Sequence, residues 1–253
     1  MNSSAAGIAA SREIMIATIA GLLEGCRHVT VGASSPVPGA GALLARRLAP
    51  ADRPMIVSVL GSQAHNMFTN GGVETFDCAA EGRIDAFFLS GGQIDGQGNI
   101  NLVGTGDYPA NTVRWPGSFG SAFVYFMIPR VILFREEHSR RVFVDKVDFI
   151  SAPGTSSAGI HRPGGPYALL TPLCLFDFDK AARRFRLRSV HPGHSVEEVA
   201  DNTGFAFDRP DEVPVTPTPA ADRLALIRGT VMDEIAETYP RFSADMRAAL
   251  PAA

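Results

Sequence analysis

Leu89–Asp107 reads LSGGQIDGQGNINLVGTGD: six glycines, two asparagines and two aspartates in nineteen residues, fed by the apolar run IDAFFL. A second such run, PGSFGS, begins at Pro116. Glycine costs conformational entropy on folding. Stretches this rich in it mark close approach to a ligand, to another chain or to the backbone itself. At the C-terminal ends of parallel strands, both runs would lie on the rim where open α/β sheets bind ligands. Backbone N–H groups there can face a carbonyl or oxyanion with no side chain in the way. The candidate binding residues are therefore Gly91, Gly92, Gln93, Asp95 and Asn99 in the first run, and Gly117, Ser118, Phe119 and Gly120 in the second. Gln93, Asp95 and Asn99 are expected to fix loop and ligand by side-chain hydrogen bonds. A pair of tight crossovers inside the subunit is the alternative.

Other chemistry is weaker. GAGALL at Gly39 begins like a dinucleotide fingerprint but lacks the third glycine, and Pro36 and Pro38 disturb the turn. Neither a Walker A motif nor a GxSxG elbow occurs. His191 and His194 in HPGH could approach one metal, but no third ligand is evident, so no metal is expected. His65 and His138 are isolated.

The elements that must position these runs alternate. A helix capped by Ser11 runs to about Leu23, with Gly25 as its stop. HVTVG, PMIVSVLG, IDAFFL and RVILFRE read as buried strands, with ALLARRLA and part of GGVETFDCAAEGR as helices between them. RWPGSFGSAFVYFM is a loop entering a helix. Beyond Ile150 the character changes. LLTPLCLFDFD and RRFRLRSV, joined by KAA, form an antiparallel hairpin with Arg184, Arg186 and Arg188 on its solvent face. Ser195 and Glu198 open a short helix as a capping box. A Pro-rich connector leads to a terminal helix, RLALIRGTVMDEI. The expectation is one α/β domain over residues 1–253, an open, mostly parallel sheet flanked by helices with an antiparallel C-terminal portion.

A net charge of -3 gives no excess of positive charge for nucleic acid or an anionic membrane. No segment is expected to reach the length of an uncharged membrane span. Three widely spaced cysteines, Cys26, Cys78 and Cys174, suit a reducing cytoplasm rather than a disulfide framework.

Several blocks resemble class I coenzyme A transferases. FLSGGQIDGQGNIN is similar to that family's GGAQID-x-x-GN-x-N segment, and RWPGSFGSA falls where the family carries a PGSGGA-like loop. RRVFVDKVDFISAPG resembles FV-x-KVDFITSPG, and LCLFDFD with FRLRSVHPGHSVEEVADNTGF resembles VFDF and L-x-SVHPGV-x-x-EEV-x-x-NTGF. The blocks keep the family's order from about Ile84 to Phe205 and look most like B (beta) subunits of two-chain enzymes such as glutaconate CoA-transferase.

The resemblance implies the coenzyme A transferase fold, an A-subunit partner in a hetero-oligomer, an acyl-CoA thioester as substrate and no cofactor beyond the coenzyme A it carries. It also implies a B-subunit glutamate that attacks the thioester. Here the sequence departs. Aligning the family's glycine on Gly61 puts Val59 where the carboxylate belongs, and Glu74 and Glu81 lie fifteen or more residues on. The catalytic residue is thus unassigned. A related branch, heteromeric hydrolases that open a steroid-derived ring on a CoA thioester, lacks the usual nucleophile and takes its carboxylate from the A chain. A subunit that only completes its partner's pocket is the third reading.

Overall fold

The computed structural model describes residues 5–249. It divides into two compact units, each assembled from separated segments. The first holds residues up to Thr75, Arg83–Ala86 and the chain from Pro217 onward; the second holds Phe76–Gly82 and Phe87–Thr216. The chain thus leaves the first unit and returns to it.

In the first unit, helix α1 (Ala5–Leu22) leads to strand β1 (His28–Val31), helix α2 (Pro36–Leu48) and strand β2 (Ile56–Val59). The two strands pair in parallel, Val29 opposite Val57 and Val31 opposite Val59. α1 begins six residues before Ser11, which lies inside it. α2 starts earlier than its apolar run suggests, because proline suits the first turn, where its missing N–H is not needed. By length and mean hydropathy α1 is apolar enough to cross a membrane, but it is not uncharged, since Arg12 and Glu13 lie within it. Its Glu13 is nevertheless buried, and Arg228 Nε and Nη2 reach the carboxylate at 2.6 and 3.0 Å. Its Met15, Ile16 and Ile19 are core residues. The C-terminal segment supplies α6 (Ala221–Leu226), a π-turn (Ile227–Val231), α7 (Met232–Ala236) and α8 (Pro240–Ala248), the last not anticipated from sequence. Helix α3 (Gly71–Ala80) and strand β3 (Ala86–Leu89) are shared between the units.

The second unit carries the glycine-rich stretch as two short antiparallel ribbons. The first pairs β4 (Gln93–Ile94) with β5 (Ile100–Asn101); the second pairs β6 (Gly104–Thr105) with β7 (Val113–Arg114). Helix α4 (Ser121–Met127) and strands β8 (Arg130–Phe134), β9 (Pro166–Leu170), β10 (Cys174–Asp179) and β11 (Arg184–Val190) follow, and then helix α5 (Val196–Asn202). The strand order here is β11-β10-β9-β8-β3. β8 and β9 are parallel, whereas β9–β10 and β10–β11 are antiparallel, as the change of character after Ile150 implies. LLTPLCLFDFD is two strands rather than one, because a turn at Thr171–Leu173 containing Pro172 separates β9 from β10.

Along β11, Phe185 and Leu187 point inward while Arg184, Arg186 and Arg188 are exposed. Phe176, Phe178, Phe185 and Phe205 form one aromatic core, with Phe178 edge-on to Phe185 and Phe185 stacked on Phe205. Ser195 caps α5 by accepting the Glu198 N–H at 3.1 Å, while the Glu198 carboxylate turns instead to His194 Nδ1 at 2.9 Å.

Candidate active site

β3 ends at Leu89 and the chain closes on itself at once. A Cβ at Gly91 would lie 2.6 Å from Ile100 Cγ2, and one at Gly92 would overlap the Trp115 ring. These two glycines admit close packing within the subunit. The β4–β5 turn is built on Asp95. Its Oδ1 accepts the N–H groups of Gln97 and Asn99, and its Oδ2 accepts Asn99 Nδ2, all at 3.0 Å. Asn99 Oδ1 in turn accepts Gly154 N–H at 3.1 Å. Gln93 Oε1 accepts Asn101 Nδ2 at 2.7 Å and Asp148 N–H at 3.0 Å. Gln93, Asp95 and Asn99 are all buried. Their expected part in fixing the loop is therefore visible bond by bond, and it uses these atoms inside the chain.

The second glycine run is tied to the first. Trp115 N–H donates to Val103 O at 2.9 Å and Gly117 N–H to Leu102 O at 3.1 Å. Beyond Gly117 the character reverses. The N–H groups of Ser118, Phe119 and Gly120 donate to no other described residue. Phe119 takes a left-handed φ of 44° and Gly120 returns to φ -95°, ψ 14°. Phe119 is 91% exposed, its ring 5.5 Å from that of Phe76, and Phe123 meets Phe76 edge-on at 5.8 Å. A left-handed φ costs a non-glycine residue about 1–2 kcal/mol, and Phe119 occupies the place of a glycine in the PGSGGA-like loop. Of the nine candidate binding residues, then, Phe119 alone is exposed; Gly117, Ser118 and Gly120 are half-buried, Gly120 close against the Phe76 ring, and Gly91, Gly92, Gln93, Asp95 and Asn99 build the loop behind.

The first unit holds the position expected for a nucleophile. Val59 is fully buried; its N–H donates to His65 O at 2.6 Å and its carbonyl accepts Ser62 N–H at 3.0 Å. A side chain at 59 thus points into the core of its own subunit rather than into a cleft. Leu60 is half-buried and Gly61 exposed. No Asp or Glu occurs between Asp52 and Glu74. Glu74 is folded back on the start of α3, accepting Thr69 N–H at 2.6 Å, Asn70 N–H at 3.0 Å and Thr69 Oγ1 at 3.0 Å. The backbone donors of Asn70 and Thr69 hold it below the usual carboxylate range. One carboxylate does reach the β2 turn, and sequence reasoning missed it. Glu237 accepts Ser62 Oγ at 2.6 Å, Gln63 N–H at 2.8 Å and Thr238 Oγ1 at 2.6 Å, which lowers its pKa to about 2. A carboxylate so fully engaged anchors the turn. It comes from the turn just after α7, 174 residues beyond Gln63, where no local pattern could have flagged it.

The HPGH histidines are structural. His191 Nε2 donates to Thr171 O and its Nδ1 accepts from Thr216 Oγ1, both at 2.9 Å. His194 bonds Glu198 instead, and no metal-binding cluster occurs among the described residues. Burial, opposed by the Thr171 carbonyl bond, lowers His191 to about 4. His138, bridging Thr171 Oγ1 and Thr203 Oγ1, falls to about 4 for the same reason.

An unfolded histidine titrates near 6.5. Between about 6.5 and 4 the unfolded chain therefore binds protons that the native protein refuses, and stability falls as pH falls. Each histidine is expected to cost about 2 kcal/mol at pH 5 relative to pH 7.5. Glu237 contributes stability that is lost only below its unfolded range, so the window from 6.5 to 5 reports the histidines. Urea midpoints at pH 7.5 and 5.0 check this: the midpoint should drop, and drop less in His191→Gln. Equal wild-type midpoints would contradict it.

Comparison with known proteins shows the family. The family model described as Coenzyme A transferase matches residues 13–202. The B subunit of 3-oxoadipate CoA-transferase from Pseudomonas knackmussii is 37% identical over 153 residues, 58% of each chain, so this match spans less than two thirds of that relative's length. The B subunit of glutaconate CoA-transferase from Acidaminococcus fermentans is 28% identical over 85% of this chain and 90% of its own. The cholesterol ring-cleaving hydrolase IpdB subunit of Rhodococcus jostii is 30% identical over 61% of this chain and 62% of its own. The crystal structure of Rhodococcus jostii RHA1 IpdAB superimposes with a TM-score of 0.77 at 26% identity, covering 87% of this chain and 93% of that one. With three quarters of its length under one family model, the chain belongs to the coenzyme A transferase family.

Proposed function

We propose that this chain is the B subunit of a two-chain enzyme acting on an acyl-CoA thioester, and that the catalytic carboxylate comes from its A-type partner. The observation that carries the proposal is the β2 turn: Leu60-Gly61-Ser62-Gln63 offers no carboxylate, and the nearest one, Glu237, is held by three donors. This subunit's contribution would be the row of uncommitted N–H groups at Ser118–Gly120, the kind of donor that an oxyanion of a thioester under attack accepts. Coenzyme A enters as part of the substrate, with no other cofactor. A cytoplasmic setting belongs to the same proposal, supported by three buried cysteines, Cys26, Cys78 and Cys174, none of them in a disulfide.

Ring-opening hydrolysis on a CoA thioester is the second reading, favoured by the missing carboxylate together with the similarity to a ring-cleaving hydrolase subunit.

The test is reconstitution with an A-type partner chain. Alone, this chain should neither exchange CoA between an acyl-CoA and a free acid nor trap a glutamyl-CoA adduct on borohydride treatment. The pair should turn over acyl-CoA. Transfer to an added acid identifies a transferase, and water-derived product identifies a hydrolase. A borohydride-sensitive adduct mapped to Glu74, Glu81 or Glu237 would overturn the proposal. So would a pair whose turnover is unchanged when this chain is left out.

A further inference from the structure

A cleft of ≈ 270 Å³ opens in the second unit between the loop before β9 and the β10–β11 turn. Three cations line it, Arg162, Lys180 and Arg183, with the hydroxyls of Thr155, Ser156 and Ser157, and no carboxylate does. Neighbouring Arg184 and Arg188 are paired with Asp208 and Asp177. The three cleft cations form no ion pair among the described residues. Asp179, next in sequence, is turned away, its Oδ1 accepting the N–H groups of Ala181 and Ala182 at 2.8 Å.

Arg162 is fixed in place. Its Nη2 donates to Pro153 O at 2.7 Å and Tyr125 O at 3.1 Å, and its guanidinium lies 5.2 Å from the Tyr125 ring centre and 5.5 Å from that of Phe126. Its Nε is buried with no acceptor. Carbonyls and ring faces orient a cation without neutralising it. A half-buried guanidinium with no carboxylate is costly unless an anion completes it. Lys180 and Arg183 are exposed and line the cleft. Positive charge focused in a concavity draws anions, and a guanidinium fork beside hydroxyls matches tetrahedral oxyanions. The volume falls just under the roughly 300–1,000 Å³ of sites that enclose a whole drug-sized ligand. It therefore suits one end of a ligand rather than all of it.

We propose that this cleft binds a phosphate group. Two sources carry that chemistry: free phosphate, or the phosphate-bearing nucleotide end of a coenzyme A thioester. The second source rests on the function proposed above; the site does not.

The test is calorimetry of the full-length chain with inorganic phosphate and with adenosine 3′,5′-bisphosphate at low ionic strength. Wild type is compared with Lys180→Ala/Arg183→Ala, both positions exposed, with thermal midpoints confirming folding. Binding should weaken about tenfold in the double variant and fall as salt is added. The source is read in the reconstituted pair. A KM increase of about tenfold for an acyl-CoA, with none for the corresponding acyl-pantetheine, assigns the cleft to the nucleotide. Phosphate binding lost in the double variant without that KM split assigns it to free phosphate. If neither probe binds wild type, or the double variant binds both as tightly, the proposal fails whatever reaction the pair performs.

Discussion

Val59→Glu is expected to destabilise the protein by about 4 kcal/mol, against about 0.5 or less for Ile56→Glu three residues earlier. The alignment that puts the family's carboxylate at 59 implies a side chain at a strand end facing a cleft, where glutamate would be tolerated and the mid-strand positions would not. The structure reverses this order. Ile56 opens β2 and is 45% exposed, whereas Val57, Ser58 and Val59 are buried, so both faces of the strand are covered. A carboxylate forced into that layer must either ionise without a partner or stay protonated at a strongly raised pKa, and either route costs several kcal/mol. β2 ends at Val59 and Leu60 begins the turn that follows it. Leu60, half-buried, is the position from which a carboxylate could leave the core. Leu60→Glu should accordingly cost about 1 kcal/mol or less. Urea midpoints for Val59→Glu, Leu60→Glu and Ile56→Glu decide it. A Val59→Glu protein within about 1 kcal/mol of wild type would restore position 59 to the cleft.

The same residues show what the sequence could and could not disclose. Every strand of the alternating pattern was legible, because apolar runs bounded by turn residues have few other ways to be buried. The β10–β11 hairpin was equally plain, since Phe185 and Leu187 between three arginines leave one register possible. Helix starts were not. Pro36 and Pro38 read as loop, yet proline is accommodated in a first turn. The glycine run was recognised as special, but its composition could not separate a ligand contact from internal close packing. That choice depends on Trp115 lying against Gly92 and on Asp148 and Gly154 closing the turn from residues some fifty positions away. The engagement of Glu237 with Ser62 was hidden for the same reason: a contact between distant segments leaves no periodicity. The return of the chain from Pro217 to the first unit is likewise a tertiary event, invisible to any local window.

Asp95→Ala is expected to cost about 3 kcal/mol, the second large effect, because one carboxylate holds the whole β4–β5 turn. Removing it leaves the N–H groups of Gln97 and Asn99 and the Asn99 amide without their acceptor, and Asn99 is buried away from water. The loss should spread along the chain, since Asn99 then has nothing to orient its Oδ1 toward Gly154. Asp95→Asn separates hydrogen bonding from volume. Its remaining oxygen can still take both backbone N–H groups, but its NH₂ meets Asn99 Nδ2 donor to donor, so about 2 kcal/mol should be lost. Adding Asn99→Asp reverses the polarity of that pair. The new carboxylate can accept both the amide NH₂ introduced at position 95 and Gly154 N–H, so the double variant should recover about 1–2 kcal/mol relative to the sum of the single changes. Hydrogen exchange gives a local readout. The amides of Gln97, Asn99 and Gly154 should lose protection in Asp95→Ala and regain part of it in the double variant, while amides in β1 and β2 change only with global stability. Additive single effects, with no recovery in the double variant, would mean that backbone packing around Gly91 and Gly92 holds the loop and that the Asp95–Asn99 pair is dispensable. A turn held this firmly by its own side chains gives the neighbouring Ser118–Gly120 loop a fixed base, which is what uncommitted N–H groups need if they are to meet an oxyanion without reorganising.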